Sequence, residues 1–138
     1  MSSLLQSAVG LYPFLEMGLG KGYNFTVMEF HGLVSGGSAK AHALGYPTAN
    51  IPLTDTGVSG IYAAQVLLDD AVYKAVAFAD PERHILEAHL FAFSGILYGK
   101  DIRITLVEKI RETAQFADDE QLKEAMHNDT VRAQEILS

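Results

Sequence analysis

The stretch GIYAAQVLLDDAVYKAVAFA, residues 60–79, decides the fold that the sequence predicts. It contains two runs rich in branched and aromatic residues, 60–68 and 72–79, which are typical of β-strands. Asp69 and Asp70 separate the runs, and a pair of such residues favours a tight turn. The sequence therefore predicts an antiparallel hairpin at this point.

The same composition recurs on both sides of this hairpin. Short apolar runs divided by Gly, Pro, Asp and Ser predict further strands at 25–34, 48–53, 84–93 and 101–108. Six short strands with no helix between them favour a small antiparallel barrel, because closure of the sheet hides its edges.

A helix is predicted at each end of the chain. Asp118 or Asp119 is placed to cap the closing helix, and an apolar stripe at i, i+3, i+4 spacing follows. The stripe consists of Leu122, Ala125, Met126, Ala133, Ile136 and Leu137. We expect it to pack on the flank of the barrel; a partner-binding helix is the alternative.

The first residues predict a separate short segment. Apolar residues over 3–17 recur at roughly helical spacing, although Pro13 interrupts them, so a short or broken helix is expected. Glycines at 18, 20 and 22 form a flexible link. The predicted organisation is an N-terminal helix and linker at 1–24 and a barrel domain at 25–138.

Composition limits the classes of function. The chain has 138 residues, of which 49% are hydrophobic, as in a single compact domain. Its net charge of −7 argues against binding to a nucleic acid backbone, so an anionic ligand must be held by a few local groups. The absence of cysteine excludes disulfides and thiolate metal sites. No apolar run is long enough to span a bilayer, and we expect a soluble, cytoplasmic protein.

Residues 44–50, LGYPTAN, close a loop that contains Gly36, Gly37 and Gly45. Thr48 and Asn50 are two residues apart, so on a strand both side chains lie on one face. A hydroxyl and an amide oxygen beside a loop rich in free N–H groups suit Mg²⁺ with phosphate oxygens. A simple turn is the alternative interpretation.

Glu87 is a carboxylate in a strand that is otherwise apolar on both faces. On its own face it is accompanied by Ile85, His89, Phe91 and Phe93. A carboxylate among apolar side chains is a candidate general base, whereas a solvated or salt-bridged glutamate at a barrel mouth is the alternative. For His89, a core histidine is the simpler interpretation. Arg111, at the end of the last strand, is either an anion clamp or a solvated residue.

Taken together, these motifs resemble riboflavin kinases, in particular the kinase half of bacterial bifunctional riboflavin kinase/FAD synthetases. Five motifs occur in the family's order: GLV at 32–34, KAHALGYPTAN at 40–50, GIYA at 60–63, EAHLFAF at 87–93 and LYGK at 97–100. Arg111 to Phe116 and a closing helix complete the order. The resemblance covers about residues 32–138.

The resemblance implies a six-stranded Greek-key barrel and the reaction of ATP with riboflavin to give FMN and ADP. It implies that Glu87 takes the proton of the ribityl 5′-hydroxyl, and that Thr48 and Asn50 hold Mg²⁺ and the nucleotide phosphates. Arg111 and Phe116 are implied to bind the flavin, Arg111 as part of a mobile flap. The other nucleotide-binding residues implied are Gly36, Gly37, Lys40, His42 and Gly45.

Two segments depart from the family pattern. Lys40-Ala41-His42 stands where the family has Arg-Gly-Arg, and residues 77–83 form a shorter segment than the family's Asn-Ile-Gly motif region. A catalytically impaired relative that binds flavin or nucleotide is therefore the alternative function, and a structural or interaction protein is a further one. The N-terminus resembles the segment that follows an adenylyltransferase domain, so no FAD synthetase activity is expected. A monomer acting on small molecules is expected.

Overall fold

A computed structural model of the chain describes residues 8–10, 27–35, 48–93 and 95–138. These ranges contain seven strands and one helix. The elements are β1 (Ala8–Gly10), β2 (Val27–Leu33), β3 (Thr48–Pro52), β4 (Gly60–Leu68), β5 (Ala71–Asp80), β6 (Ile85–Leu90), β7 (Asp101–Arg111) and α1 (Asp119–Leu137).

All strands belong to one antiparallel sheet with the order β1-β2-β7-β4-β5-β6-β3. Strands β4, β5 and β6 are consecutive neighbours, and β3 returns to lie beside β6, which is a Greek-key arrangement. The sheet curls until its ends approach each other: the Ser35 amide donates to the Asn50 carbonyl over 2.9 Å. The predicted antiparallel fold with a C-terminal helix is confirmed as a curled half-barrel: β2 to β7 are the six predicted strands, and β1 is a seventh.

The hairpin predicted at residues 60–79 is confirmed. Leu68 pairs with Ala71, and the two turn residues between them, Asp69 and Asp70, have φ of 50° and 67°. Positive φ at both positions matches the right-handed twist of the flanking strands, and Asp tolerates this conformation better than most residues. Strand β4 therefore pairs with β5 along its whole length.

The two faces of the sheet are buried by different groups. The concave face is filled by a core that includes Phe30, Ile51, Val66, Leu86 and Ile104. The opposite face is partly covered by α1, whose buried Ala133, Ile136 and Leu137 pack with Ile61, Ala63 and Val76. The predicted packing of this helix on the flank of the barrel is thus confirmed. Asp118 is its N-cap and accepts from the Gln121 amide over 2.9 Å.

Gly60 permits the close approach of β4 to the end of β7. Its φ is +107°, and a Cβ atom there would lie 2.6 Å from Lys109 Cε and 2.9 Å from the Arg111 carbonyl oxygen. The ladder beyond it contains register shifts between Ile61 and Tyr62 and between Ala63 and Ala64. Ile61 consequently lies opposite Arg111.

Two predictions of local structure need correction. The helix expected over 3–17 is wrong at Ala8–Gly10, which form a strand. This strand pairs with β2 and so satisfies backbone polar groups at the edge of the sheet. The rest of that segment and the glycine link lie outside the described residues. The strand expected at 84–93 is shorter, because His84 and Ala92 have φ of 58° and 54° and end the extended run on each side.

In the described part of the chain, no helix combines the length and apolar character needed to cross a membrane.

Candidate active site

A cavity of about 340 Å³ lies on the convex side of the sheet, under α1 and the loop that joins β7 to α1. It falls within the size range of small-molecule sites. Its walls are formed by Thr48, Ile61, Val76, Phe78, Arg83, Glu87, His89, Arg111, Thr113, Ala114, Phe116, Leu122, Met126 and Asp129. The cavity therefore brings together four residues that the sequence singled out at distant positions: Thr48, Glu87, Arg111 and Phe116.

A single row of residues across five strands runs along this cavity, and all of its members except Asn50 line the walls. The pairing register places Asn50 (β3) beside Glu87 (β6), Glu87 beside Phe78 (β5), Phe78 beside Ile61 (β4), and Ile61 beside Arg111 (β7). Because neighbouring strands are about 4.8 Å apart, Glu87 and Arg111 are separated by about 14 Å along the sheet. The row thus has a polar end at β3 and β6, with Asn50 and Glu87, and a charged end at β7, with Arg111.

The polar end carries oxygen donors on one face. Thr48 lies opposite His89, and Asn50 lies opposite Glu87. The Asn50 Oδ1 atom is buried and has no hydrogen-bond partner among the residues that the structure describes. Leaving a buried amide oxygen without a donor is costly, and such an oxygen is a suitable ligand for a hard cation. Thr48 and Asn50 therefore fit Mg²⁺ by the chemistry of their donor atoms.

Carboxylates and imidazoles do not form a separate metal centre in the described ranges. No group of three or more His, Asp or Glu side chains there could hold a metal ion. A cation at the polar end would therefore depend on hydroxyl and amide oxygens together with oxygens of a ligand.

His89 is a cavity residue as well as a partly buried one. Burial lowers the pKa of its imidazole from 6.5 to about 4, so the ring is neutral at neutral pH. The ring meets Phe91 edge to face, with centroids 5.6 Å apart and an interplanar angle of 89°. The core histidine favoured by the sequence is therefore half-buried on the cavity wall, next to the candidate base and the candidate metal ligands.

The middle of the cavity is an apolar slot. Its floor is formed by Ile61, Val76 and Phe78 from β4 and β5, and its roof by Phe116 of the β7–α1 loop and Met126 of α1. Two facing apolar layers of this kind suit a flat ring system.

At the far end, Arg111 is held by a buried carboxylate. Its Nε and one terminal nitrogen each donate to Asp129 over 2.7 Å, and the other terminal nitrogen donates to the Glu112 carbonyl over 3.1 Å. The guanidinium also lies 5.7 Å from the centre of the Phe116 ring. Asp129 on α1 thus occupies the fork of the guanidinium, and the role of Arg111 toward a ligand stays a prediction.

Sequence reasoning missed Asp129 and Arg83. Asp129 is only 5% exposed, and its spacing from Met126 and Ala133 places it on the apolar stripe of α1, which was a usable signal. Arg83 lies in the short turn between β5 and β6, and no pattern in the sequence points to it. Gly36, Gly37, Lys40, His42 and Gly45 lie outside the described residues, so their assignment to a nucleotide loop stays a prediction.

Comparison with known proteins gives consistent results. The family described as riboflavin kinase (flavokinase) matches residues 24–137. The bifunctional riboflavin kinase/FMN adenylyltransferase of Mycoplasma pneumoniae is 36% identical over 108 residues, which are 75% of this chain and 40% of that protein. The chain thus spans less than half the length of the curated bifunctional relatives that it matches.

Two solved structures are similar in fold. A macrolide-efflux protein from Streptococcus pneumoniae superimposes with a TM-score of 0.67 at 25% identity, over 78% of this chain and 38% of that one. Riboflavin kinase from Trypanosoma brucei does so with a TM-score of 0.58 at 23% identity, over 82% of this chain and 81% of that one. Since the family match extends over almost the whole barrel and α1, the chain belongs to the riboflavin kinase family.

Proposed function

We propose that this protein is a riboflavin kinase that transfers the γ-phosphate of ATP to the 5′-hydroxyl of riboflavin, forming FMN and ADP. The observation that carries the proposal is that one cavity places the Thr48 hydroxyl and the Glu87 carboxylate beside an apolar slot, with Asn50 opposite Glu87 on the neighbouring strand. Phosphoryl transfer requires positioning and electrostatic stabilisation more than covalent chemistry, and these groups can supply both.

The apolar slot is the proposed site of the flavin ring. Ile61 and Phe78 would contact one face of the ring system, and Phe116 would cover the other. The ribityl chain would then extend along the row toward Glu87. Arg111 is assigned to the flavin end as a residue that fixes the β7–α1 loop through Asp129.

Glu87 is the proposed general base. Its carboxylate lines the cavity between the apolar slot and the Thr48–Asn50 pair, so a hydroxyl reaching it from the flavin side would face phosphate oxygens on the other. Glu87 would accept the proton of the 5′-hydroxyl as the oxygen attacks phosphorus.

Thr48 and Asn50 are the proposed ligands of Mg²⁺, and the loop with Gly36, Gly37, Lys40, His42 and Gly45 is the proposed cover of the nucleotide. When bound, the cation neutralises charge on the transferred phosphate. The unpartnered Oδ1 of Asn50 supports this assignment. Because Glu87 and Thr48 line the same cavity, we favour a kinase over a relative that only binds flavin or nucleotide.

We further propose that the protein acts in the cytoplasm as a monomer, on small molecules and without nucleic acid or a membrane. The net charge of −7 supports the exclusion of nucleic acid.

Chromatographic detection of FMN tests the proposed reaction. The purified chain is incubated with riboflavin, ATP and Mg²⁺, alongside Glu87→Gln and the control Glu108→Gln on the exposed part of β7. We expect FMN from the wild type and the control, and a loss of about 10²–10⁴-fold in kcat for Glu87→Gln with riboflavin affinity retained. Full activity of Glu87→Gln would remove Glu87 as the base, and a wild type that binds riboflavin without forming FMN would contradict the kinase.

A further inference from the structure

We propose that Arg83 binds a phosphate group at the rim of the cavity, either the phosphate of FMN or the phosphoanhydride of the nucleotide. The choice of these ligands rests on the proposed kinase function. Among the described residues, two arginines line the cavity, Arg83 and Arg111, and they differ in how firmly they are held.

The chain has four arginines, and three of them have a carboxylate partner within 3.3 Å. Arg103 pairs with Glu29 at 3.2 Å, and Arg132 pairs with Glu135 at 3.3 Å, away from the cavity walls. Arg111 lines the cavity but gives two short hydrogen bonds to Asp129 and a third to the Glu112 carbonyl. Its charge is therefore neutralised, and its fork is filled, before any ligand binds.

Arg83 is held differently. It also lines the cavity, but its side chain is 67% exposed and its terminal nitrogen is 3.7 Å from the Asp80 carboxylate. An exposed ion pair of this length contributes little free energy, so a phosphate can displace it at low cost. Among the described cavity residues, Arg83 is the cation whose guanidinium is not fixed in a short bidentate pair.

The backbone that carries Arg83 is well anchored. The Arg83 amide donates to Asp80 Oδ1 over 3.2 Å, and the carbonyl of the neighbouring His84 accepts from the Leu53 amide over 2.9 Å. The short turn therefore fixes the base of the side chain two residues before β6 begins at Ile85. The turn connects β5 to β6, the two strands in which Phe78 and Glu87 lie opposite each other.

The charge of the cavity explains why such a residue is needed. Once Arg111 and Asp129 cancel each other, Glu87 is the remaining carboxylate of the wall. The whole chain carries a net charge of −7, and residues 34–50 contain one lysine, Lys40 of the proposed nucleotide loop, and no arginine. A phosphate brought to Glu87 requires a nearby cation, and the planar fork of Arg83 matches phosphate oxygens.

Binding measurements with three ligands test the proposal. The Kd values of riboflavin, FMN and ADP with Mg²⁺ are measured by fluorescence titration and calorimetry for the wild type, Arg83→Gln and Arg83→Lys. Arg132→Gln, an exposed arginine on α1, is the matched control. Arg83→Gln should leave the riboflavin Kd within about twofold and weaken FMN or ADP by about tenfold, with a smaller loss for Arg83→Lys.

The pattern of losses identifies the phosphate. A loss confined to FMN places Arg83 on the flavin phosphate, and a loss confined to ADP places it on the nucleotide. Equal affinities of Arg83→Gln and Arg132→Gln for FMN and for ADP overturn the proposal, even if the wild type forms FMN. A wild type that forms no FMN but loses ADP affinity on Arg83→Gln overturns the kinase function and supports the phosphate site.

Discussion

Thr48 lines the polar end of the cavity, and Asn50 lies two residues further along the same face of β3. If their side-chain oxygens hold Mg²⁺, Thr48→Ala should weaken ADP binding by about tenfold in the presence of Mg²⁺ and much less in EDTA, because the lost contact is with the cation. Calorimetric titration in both buffers measures this. Thr48→Ser keeps the hydroxyl and should restore most of the affinity; equal losses in both buffers would place Thr48 elsewhere.

His89 links the cavity to the pH dependence of stability. Its pKa is lowered to about 4 in the folded protein, so between pH 6.5 and pH 4 the unfolded chain binds a proton that the folded chain does not. The free energy of unfolding should therefore fall as the pH falls through this window, by on the order of 1–2 kcal/mol between pH 7 and pH 5 after solvent screening.

Urea midpoints at pH 7 and pH 5 measure this effect. His89→Gln should lose less stability than the wild type over the same interval, and His127→Gln, on the exposed side of α1, controls for a histidine change away from the cavity. An identical pH response of the wild type and His89→Gln would show that burial does not hold His89 in its neutral form.

How far single residues could be predicted depended on whether their role was local. Thr48, Asn50 and Glu87 could be selected because each is a polar side chain within an otherwise apolar strand. Arg111 could be selected but not interpreted, since its partner Asp129 lies 18 positions away on another element. Arg83 gave no signal, because only the folding of a short turn brings it to the cavity.

The contact between the end of β7 and α1 depends on the Arg111–Asp129 pair. Asp129→Ala should lower the free energy of unfolding by about 2–3 kcal/mol, because it leaves a mostly buried guanidinium without its carboxylate. The double variant Arg111→Met/Asp129→Leu should recover much of this loss, since it removes both charges. Urea unfolding of the single and double variants measures the coupling, and strictly additive losses would contradict a direct interaction.

Elements were predictable where local pattern and tertiary pairing agree. The β4–β5 hairpin follows from Asp69 and Asp70, and α1 follows from its cap at Asp118 and its apolar stripe. At Ala8–Gly10 the pattern favoured a helix, but pairing with the free edge of β2 gives a strand. The extent of β6 could not be read from composition, because His84 and Ala92 end it by backbone conformation alone.

The position of the cavity predicts how a ligand affects the whole protein. The concave side of the sheet is filled by its own core, whereas the cavity lies between the convex side and α1. Riboflavin at a hundredfold excess over its Kd should therefore raise the free energy of unfolding by about 2.7 kcal/mol and slow hydrogen exchange in α1. Thermal shift and amide exchange measure the two effects. Stabilisation without protection of α1 would place the ligand outside this cavity.

The row from Asn50 to Arg111 also has a consequence for the order in which the protein matures. Its members come from five strands, and the roof above it comes from Phe116 and Met126, which follow β7 in the chain. During synthesis the floor can assemble once β7 has emerged, but the slot closes only after α1 follows. A flavin that binds in this slot can therefore do so only after α1 has been made, and a chain interrupted before Asp129 carries a floor without a roof.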